Sequence, residues 1–414
     1  MFTTYWSEDP VPLGIEPRPL RPAARPLGAG KAPLPAEAGV LAPFGNDRRN
    51  SRMPGALGLG PTAPTHYAVR WSAAIPEEFG PYSLLQSANR IVVLGPSLWR
   101  LYDVGGSLLH QVPRNCSCAL IHPAWTVFYA GDNFGLIAGY RTGSGEVRFQ
   151  VRPTFGKEFA CNFLAARGNR MIAVSIELLI DVHGPDPERS IIEAFDLGDP
   201  AFPKSWNEKG GPHVVMDLIR QSRTLYAAMV PDGVAIATVD RVYVLDLDLN
   251  FRRAMTGSFL PTEISTDEEG RIYLQVYAEK RNAVWLITPE GERVYSFVFP
   301  ASFKKPISPP IVGYDHTVYM VSTEHVLSIA LDGKLNWMRP GLGTVAGAAV
   351  TADDYLLVSE GSNLSAWDAR GRRTVLHTFD GDTLSTAPVL MENGDLVVAS
   401  QQRLYCLTRA PRPN

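Results

Sequence analysis

The sequence predicts an all-β fold, namely an eight-bladed β-propeller closed by an N-terminal strand and preceded by an extended proline-rich arm. Three observations predict it. From about residue 65 onward, short runs of Val, Ile, Tyr and Leu alternate with Gly, Asp and Asn turns. One strand–turn–strand unit recurs at a spacing near 40 residues. The first 64 residues are rich in proline and lack apolar periodicity. We therefore divide the chain into an arm, residues 1–64, and a propeller, residues 65–414.

The arm holds 12 of the 34 prolines, a composition that favours extended or polyproline conformations over a packed core. It also carries aromatic and aliphatic side chains, which a purely solvating tail rarely contains. We predict that the arm is a strap that binds a partner protein, and a disordered leader is the alternative interpretation. The predicted partner-binding residues are Phe2, Tyr5, Trp6, Leu13, Ile15, Leu41 and Phe44.

The repeated unit is a strand, a tight turn, a strand ending near an acidic residue, a Gly turn and an outgoing strand. Its copies align on the strand end before the Gly turn, with successive gaps of 38, 55, 50, 42, 43, 37 and 39 residues. Such periods, with four short strands per unit, are typical of propeller blades. The aligned residues are Tyr102, Tyr140, Phe195, Leu245, Ile287, Ala330, Trp367 and Cys406.

The last unit lacks its outgoing strand. We expect the segment His66–Ala74 to supply it, with Trp71 placed as Trp337 is placed in its own unit. This pairing would close the ring and remove the exposed edges. No long amphipathic helix is convincing; at most, His213–Ser222 forms one or two helical turns.

Several units resemble the repeat of the quinoprotein, or PQQ-like, propeller family. The stretch "ALDGKLNW", Ala330–Trp337, is a shortened copy, whereas "LYDVGGSLL" and "AWDARGRR" keep the Asp and Gly and lose the Trp. WD-type propellers are the main rival, but their Gly-His and Trp-Asp pairs do not recur. The resemblance covers about residues 65–408 and implies these structural blade positions: Trp71, Asp103, Asp196, Asp246, Asp332, Gly333, Trp337 and Asp368.

The enzymes of this family hold calcium and a quinone over the ring centre with carboxylates, Asn and Arg. The predicted inner strands of this chain, such as "CALIHP" and "AGAAVT", are apolar and small, with scarcely a carboxylate. A loop at Asp181–Glu188 and the "CSC" motif at Cys116–Cys118 are poor metal sites, because neither supplies a full ligand set. We predict no catalytic residue, no metal and no cofactor, and we regard enzyme activity as undecided but disfavoured.

The net charge of −3 argues against binding nucleic acid, which favours strongly basic proteins. The N-terminus lacks the basic and apolar regions of a secretory signal and a lipoprotein-type Cys, and no segment is apolar enough to span a bilayer. We therefore expect a cytoplasmic bacterial-type protein without direct membrane insertion. Four scattered cysteines do not indicate a disulfide framework.

These observations together predict a non-catalytic scaffold, a subunit of a larger assembly that binds other protein subunits and no small-molecule substrate. Two alternatives remain open. One is a quinoprotein-type oxidoreductase that uses PQQ and calcium. The other is a propeller that senses a small ligand or glycan in its central channel. Fold alone does not decide among them, because propellers carry unrelated functions.

Overall fold

The computed structural model describes residues 42–43 and 66–410, apart from 77–79, 82, 88–89, 96, 114–115, 117, 122–126, 132–136, 142–143, 146, 152–158, 168–169, 178–188, 197–213, 220–225, 232, 268, 304–305, 314, 342, 352 and 392. Within this part of the chain every regular element is a β-strand, as predicted for an all-β protein. No helix in it is long and apolar enough to cross a membrane.

The described residues form 33 strands. In chain order these are β1 Ala42–Pro43, β2 Tyr67–Ala74, β3 Ser83–Ser87, β4 Arg90–Leu94, β5 Trp99–Asp103, β6 Leu108–Val112, β7 Cys118–Ile121, β8 Val127–Gly131, β9 Ile137–Arg141, β10 Val147–Val151, β11 Phe159–Arg167, β12 Arg170–Glu177, β13 Arg189–Asp196, β14 Val214–Ile219, β15 Tyr226–Val230, β16 Gly233–Thr238, β17 Arg241–Asp246, β18 Phe251–Thr256, β19 Leu260–Thr266, β20 Ile272–Ala278, β21 Arg281–Ile287, β22 Arg293–Val298, β23 Ile311–Val312, β24 Val318–Val321, β25 His325–Ile329, β26 Leu335–Pro340, β27 Val345–Val350, β28 Leu356–Glu360, β29 Asn363–Trp367, β30 Arg373–Thr378, β31 Val389–Leu390, β32 Leu396–Ala399 and β33 Arg403–Arg409.

The strands form antiparallel sheets, most of them made of four consecutive strands. The structure has seven four-stranded blades, so the expectation of eight such blades is wrong. The remaining sheet has five strands in the order β1-β7-β8-β9-β10, because Ala42 pairs with Ala119 and Pro43 with Cys118. The segment predicted to be an extended arm ahead of the ring therefore contributes a strand to it. The boundary between residues 64 and 65 stays a prediction.

The N-terminal strand β2 completes the sheet that contains the C-terminal strand. It pairs with β33 along its length, with Trp71 opposite Cys406, and the sheet order is β2-β33-β32-β31. The predicted pairing of the first propeller strand with the last unit is therefore found. It gives β33 a partner on both sides and ties the two ends of the ring together.

Burial differs systematically between the inner and outer strands. All six residues of β16 and all five of β28 are buried, as expected for strands covered on both faces. The outer strand β18 instead alternates between exposed and partly exposed residues. The segment predicted to form a helical turn, His213–Ser222, contains the strand β14, because its pairing with β13 overrides local helix propensity.

The hydrophobic core is divided among the spaces between neighbouring sheets. One cluster combines Val92 and Trp99 of the β3–β6 sheet with Ala138 and Tyr140 of the next sheet. Corresponding clusters join six further pairs of neighbouring sheets, including the last sheet, which packs on the first through Cys406 and Met391 against residues such as Tyr102. This arrangement makes a closed ring whose stability rests on sheet-to-sheet packing.

The turns that join the first strand to the second, and the third to the fourth, lie on one side of the ring, which we call the Asp face. On this face, the side-chain ring of an outer-strand residue in one sheet packs on a glycine in a turn of the next sheet. Trp71 covers Gly106 and donates from Nε1 to the Val104 carbonyl at 2.9 Å. Trp337 covers Gly371 and donates to the Ala369 carbonyl at 3.0 Å.

At both contacts, two separate constraints require glycine in the turn. Gly106 and Gly371 have φ of +87° and +71°, where side chains other than hydrogen are strained. A Cβ on either would also lie 2.6 Å from the tryptophan ring. Tyr295 covers Gly333 in the same way. The ring-on-glycine contact is thus a repeated link between sheets.

We expect Gly371→Ala to lower the free energy of unfolding by about 3 kcal/mol, because it adds both backbone strain and a clash with Trp337. Gly381→Ala is the matched control, since Gly381 has a φ of +72° and nothing within 4 Å of its added Cβ. It should cost about 1 kcal/mol, from strain alone. Urea unfolding of both variants tests this, and equal losses would show that the ring contact is unimportant.

Candidate functional site

The predicted aspartates shape the turns of the Asp face. Oδ1 of Asp103 accepts hydrogen bonds from the backbone N–H groups of Gly105 and Ser107, at 2.9 and 2.8 Å. Asp246 and Asp368 each accept from the residues two and four positions later in the same manner. These side chains satisfy turn donors, which is a structural role.

The remaining predicted blade positions lie in related places. Asp332 accepts from the Lys334 backbone N–H at 3.1 Å and from its Nζ at 2.7 Å, and the adjacent Gly333 lies under Tyr295. Asp196 ends β13, and its side chain is outside the described part of the structure. Trp71 and Trp337 make the contacts already described. The structure therefore places these positions at turns and sheet junctions and does not gather them into one site.

A group of charged side chains that the sequence did not single out lies between the first turns of two neighbouring sheets. Asp267 and Arg271 flank the turn from β19 to β20, and His316 lies in the turn from β23 to β24. Arg271 Nε donates to Asp267 Oδ2 at 2.6 Å, and Arg271 Nη2 contacts His316 Nδ1 at 2.6 Å. Tyr273 donates to Asp267 Oδ2 at 2.9 Å. We call Asp267, Glu269, Arg271, Tyr273 and His316 the Arg271 network.

The geometry sets the protonation of this network. Arg271 Nη2 lies 2.6 Å from His316 Nδ1, and His316 Nε2 faces Glu269 Oε1 at 3.4 Å. Burial of Asp267 opposes its ionisation, but Arg271 and the hydrogen bonds outweigh it and lower the pKa of Asp267 to about 2. Burial, reinforced by the Asp267 charge, raises the pKa of Tyr273 well above its usual range. Asp267 is therefore a carboxylate and Tyr273 a neutral phenol at neutral pH.

Three members of the network, Asp267, Glu269 and His316, offer metal-ligand atoms that lie within 4.8 Å of one another. Arg271, however, bonds to all three, including Glu269 Oε2 at 2.5 Å. A cation entering this point would meet the guanidinium and would have to displace it from each ligand. The donor set therefore does not fit calcium, and we derive no quinone chemistry from it.

The inner edge of the five-stranded sheet is covered by the chain itself. The strand β1 pairs with the innermost strand β7 and also lies against β3 and β11, the innermost strands of the flanking sheets. Ala42 and Pro43 therefore lie in the central channel. The predicted arm residues, Phe2, Tyr5, Trp6, Leu13, Ile15, Leu41 and Phe44, are outside the described residues.

Exposed apolar side chains recur at the start of the outer strands. Leu108, Val147, Phe251 and Leu335 each begin such a strand, with 42–61% of their surface exposed. Leu109 is also exposed. These residues were not predicted from the sequence, although a large apolar residue soon after the Gly turn was the available signal.

Three of these side chains belong to adjacent sheets. Leu108 and Leu109 are in β6, and Val147 is in β10. The ring of His110 in β6 rests on Gly145, two residues before Val147. We call Leu108, Leu109 and Val147, the exposed apolar residues at the start of these two neighbouring outer strands, the β6–β10 patch. Exposed apolar residues on neighbouring outer strands make this side of the ring a candidate protein-interaction surface.

The ring of sheets is similar in fold to BamB from Moraxella catarrhalis, with a TM-score of 0.56 and 14% sequence identity over 83% of this chain and 99% of that chain. The chain folds as a β-propeller. A streptogramin B lyase structure covers 82% of this chain and 98% of its own, at 10% identity and a TM-score of 0.48, which is too low to bear on fold or function.

No protein-family model matches the propeller sequence, and no curated protein matches it. The relation to the quinoprotein repeat is therefore shown only at the level of the propeller fold. Identity as low as that to BamB supports a shared fold and nothing finer. Function must be argued from the surfaces of this propeller.

We expect Asp267→Asn to lower the free energy of unfolding at pH 7 by about 2 to 4 kcal/mol, because it leaves Arg271 without its buried counter-charge. The folded pKa of Asp267, about 2, is below the unfolded value of about 3.9, so its stabilisation is complete above pH 4. The stabilisation is lost as the pH falls toward 2, and the difference between variant and parent should shrink over that range.

Urea unfolding at several pH values measures this difference. Asp332→Asn is the control, because Asp332 is exposed beside Lys334 and its substitution should change stability little. A pH-independent deficit in Asp267→Asn would contradict the assigned ionisation of Asp267.

Proposed function

We propose that the chain is a non-catalytic scaffold that binds other proteins as a subunit of a larger assembly. The observation that carries this proposal is the β6–β10 patch, where Leu108, Leu109 and Val147 are 39–48% exposed on adjacent sheets. Because burying such side chains against a partner is favourable, exposed apolar residues on two neighbouring outer strands of a rigid ring favour protein binding. The closed propeller fold supplies the rigidity and leaves little flexibility to lose on association.

The arm is the second element of the proposal. Its apolar residues, from Phe2 to Ile15, would lie across the partner as a strap, and ordering them costs conformational entropy. The pairing of β1 with β7 supports this role, because it anchors the chain next to Leu41 and Phe44 to the ring. An anchored strap is held near a partner bound on the ring, which raises its effective concentration.

The alternatives have weaker support. A quinoprotein-type oxidoreductase needs a carboxylate site that accepts calcium, whereas Arg271 holds the one group of metal-ligand residues found in the described part of the chain. A small-ligand or glycan sensor would use the central channel, where β1 lies against three inner strands. A cytoplasmic location is part of our proposal, and the four free cysteines favour a reducing compartment.

The patch is tested by the double variant Leu108→Ser/Val147→Ser as bait in an affinity capture from the native source. We expect it to lose at least about tenfold of the partner that the parent chain retains, since two apolar anchors are removed. The matched control is Leu335→Ser/Val298→Ser, which removes a Leu and a Val of similar exposure, 42% and 43%, from a different pair of sheets. Equal capture by both double variants would contradict a role for the patch.

The arm is tested by truncation with β1 kept or removed. A chain beginning at Val40 retains the Ala42–Pro43 pairing and loses Phe2, Tyr5, Trp6, Leu13 and Ile15, whereas a chain beginning at Pro61 loses both. If the arm is a strap, the Val40 chain keeps the parent's melting temperature and loses partner affinity. Full affinity in the Val40 chain would remove the arm from the proposal.

The oxidoreductase alternative makes an opposite prediction. Added PQQ and calcium should give no dye reduction with sugars or alcohols, and calcium alone should leave the melting temperature unchanged, because Arg271 holds Asp267 and Glu269. The Arg271→Gln variant provides the check, since it frees the carboxylates. Calcium-dependent stabilisation of the parent chain would favour the enzyme.

A further inference from the structure

Two of the four cysteines meet between neighbouring sheets. Cys118 begins β7, which lies next to β1 in the five-stranded sheet, and Cys161 lies in β11, the innermost strand of the next sheet. Their Sγ atoms are 3.3 Å apart, and Cys118 Sγ also lies 3.3 Å from the Cys161 carbonyl oxygen. Both residues are buried, with 1% and 0% of their surface exposed. The two thiols are therefore in contact without being bonded.

Local backbone features direct the two thiols toward each other. The pairing of β11 with β12 shifts register between Cys161 and Phe163, and such a bulge re-aims the side chain beside it. On the other strand, Cys118 pairs with Gly131 of β8. A Cβ on Gly131 would lie 2.7 Å from Cys161 Sγ and 2.9 Å from Cys118 Sγ. The absence of a side chain at Gly131 leaves the space that the two sulfur atoms fill.

A metal does not explain this arrangement. Cys116 is a third buried thiol nearby, and its Sγ donates to the Cys118 carbonyl oxygen at 3.2 Å. Among the described residues, however, the converging metal-ligand group is the one in the Arg271 network, so the three thiols do not converge on one point. A thiolate zinc site would also require four ligands.

We propose that Cys118 and Cys161 are a disulfide-forming pair that links two neighbouring sheets of the propeller when a peroxide is present. The thiolate of one cysteine attacks the peroxide and becomes a sulfenic acid, with release of hydroxide. The second thiol then attacks that sulfur and releases water. Overall, two thiols and one hydrogen peroxide give one disulfide and two waters.

The buried position controls the rate of this reaction. Burial, reinforced by Cys118, raises the pKa of the Cys161 thiol well above its usual range. Little thiolate therefore forms at neutral pH in the closed ring, and reaction with peroxide should be slow and should accelerate with rising pH. Such a pair stays reduced in a reducing compartment and is oxidised under sustained oxidant exposure.

Trypsin provides a direct assay. It leaves Cys116 and Cys118 together in the peptide 115–141 and places Cys161 in the peptide 158–167. In the variant Cys116→Ser, a disulfide between these two peptides can only join Cys118 to Cys161. We would treat the folded full-length variant with hydrogen peroxide at pH 7 and pH 9, block the remaining thiols, digest without reduction and measure the linked peptides by mass spectrometry.

We expect the linked pair to form in most of the protein, and faster at pH 9. The oxidised protein should melt about 5 °C higher, because the link restricts the unfolded chain. Cys116→Ser/Cys161→Ser should form no link and show no increase in melting temperature. Cys116→Ser/Cys406→Ser is the matched control, which removes another buried thiol and should form the link as before.

Three results would overturn the proposal. All three thiols of folded Cys116→Ser could remain free, they could be oxidised to sulfinic or sulfonic acids without any link, or the link could form only after unfolding in urea. The parent chain gives an independent reading, since folded protein should lose two of its four free thiols. Loss of those two thiols through a Cys116–Cys118 disulfide would also contradict the proposed pair.

Discussion

The packing of an outer-strand side-chain ring on a turn glycine of the next sheet is the contact that orients neighbouring sheets at four junctions of the propeller. The sheets bury apolar side chains against each other, and this packing holds the ring together. The ring contact adds direction, because the indole of Trp337 both covers Gly371 and donates to the Ala369 carbonyl. Trp71 makes the same contact from the N-terminal strand. Closure of the ring therefore uses an interaction that recurs at three other sheet junctions, where Trp337, Tyr295 and His110 pack on turn glycines.

The Arg271 network fixes the ring nearer its centre. Asp267 and Arg271 belong to one sheet and His316 to the next, and their hydrogen bonds join the first turns of both. A buried ion pair alone contributes little net stability, but its geometry is specific. The Asp face is thus held together at two distances from the propeller axis. Side-chain rings pack on glycines at the outer strands, and the ion pair and hydrogen bonds of the Arg271 network join the inner turns. A partner that binds this face meets a surface whose shape is already set.

The sequence revealed the repeat well because the repeat is local. Alternating apolar runs and Gly turns identify the strands, and the aligned residues Tyr102, Tyr140 and Leu245 all prove to be the last residues of third strands that pair with the outer strand. Ala330 was aligned one residue late, since Ile329 holds that place. The strand β1 could not be predicted, because Ala42 and Pro43 carry no strand signal and pair only through an inner edge. The Arg271 network was equally hidden, because its members come from different repeats and meet only when the ring closes.

Equivalent positions with different residues indicate where function departs from folding. The first residue of the outer strand faces the end of the third strand in several sheets. In two sheets this residue is an arginine. The guanidinium groups of Arg293 and Arg373 lie 4.7 and 5.4 Å from the ring centroids of Trp285 and Trp367, so a charged group covers each indole. In four other sheets the same position is an exposed apolar residue, namely Leu108, Val147, Phe251 or Leu335. Since the fold accepts arginine at this position, packing within the propeller does not require an apolar residue there. Burial against a partner would account for the exposed apolar residues, whereas folding alone does not.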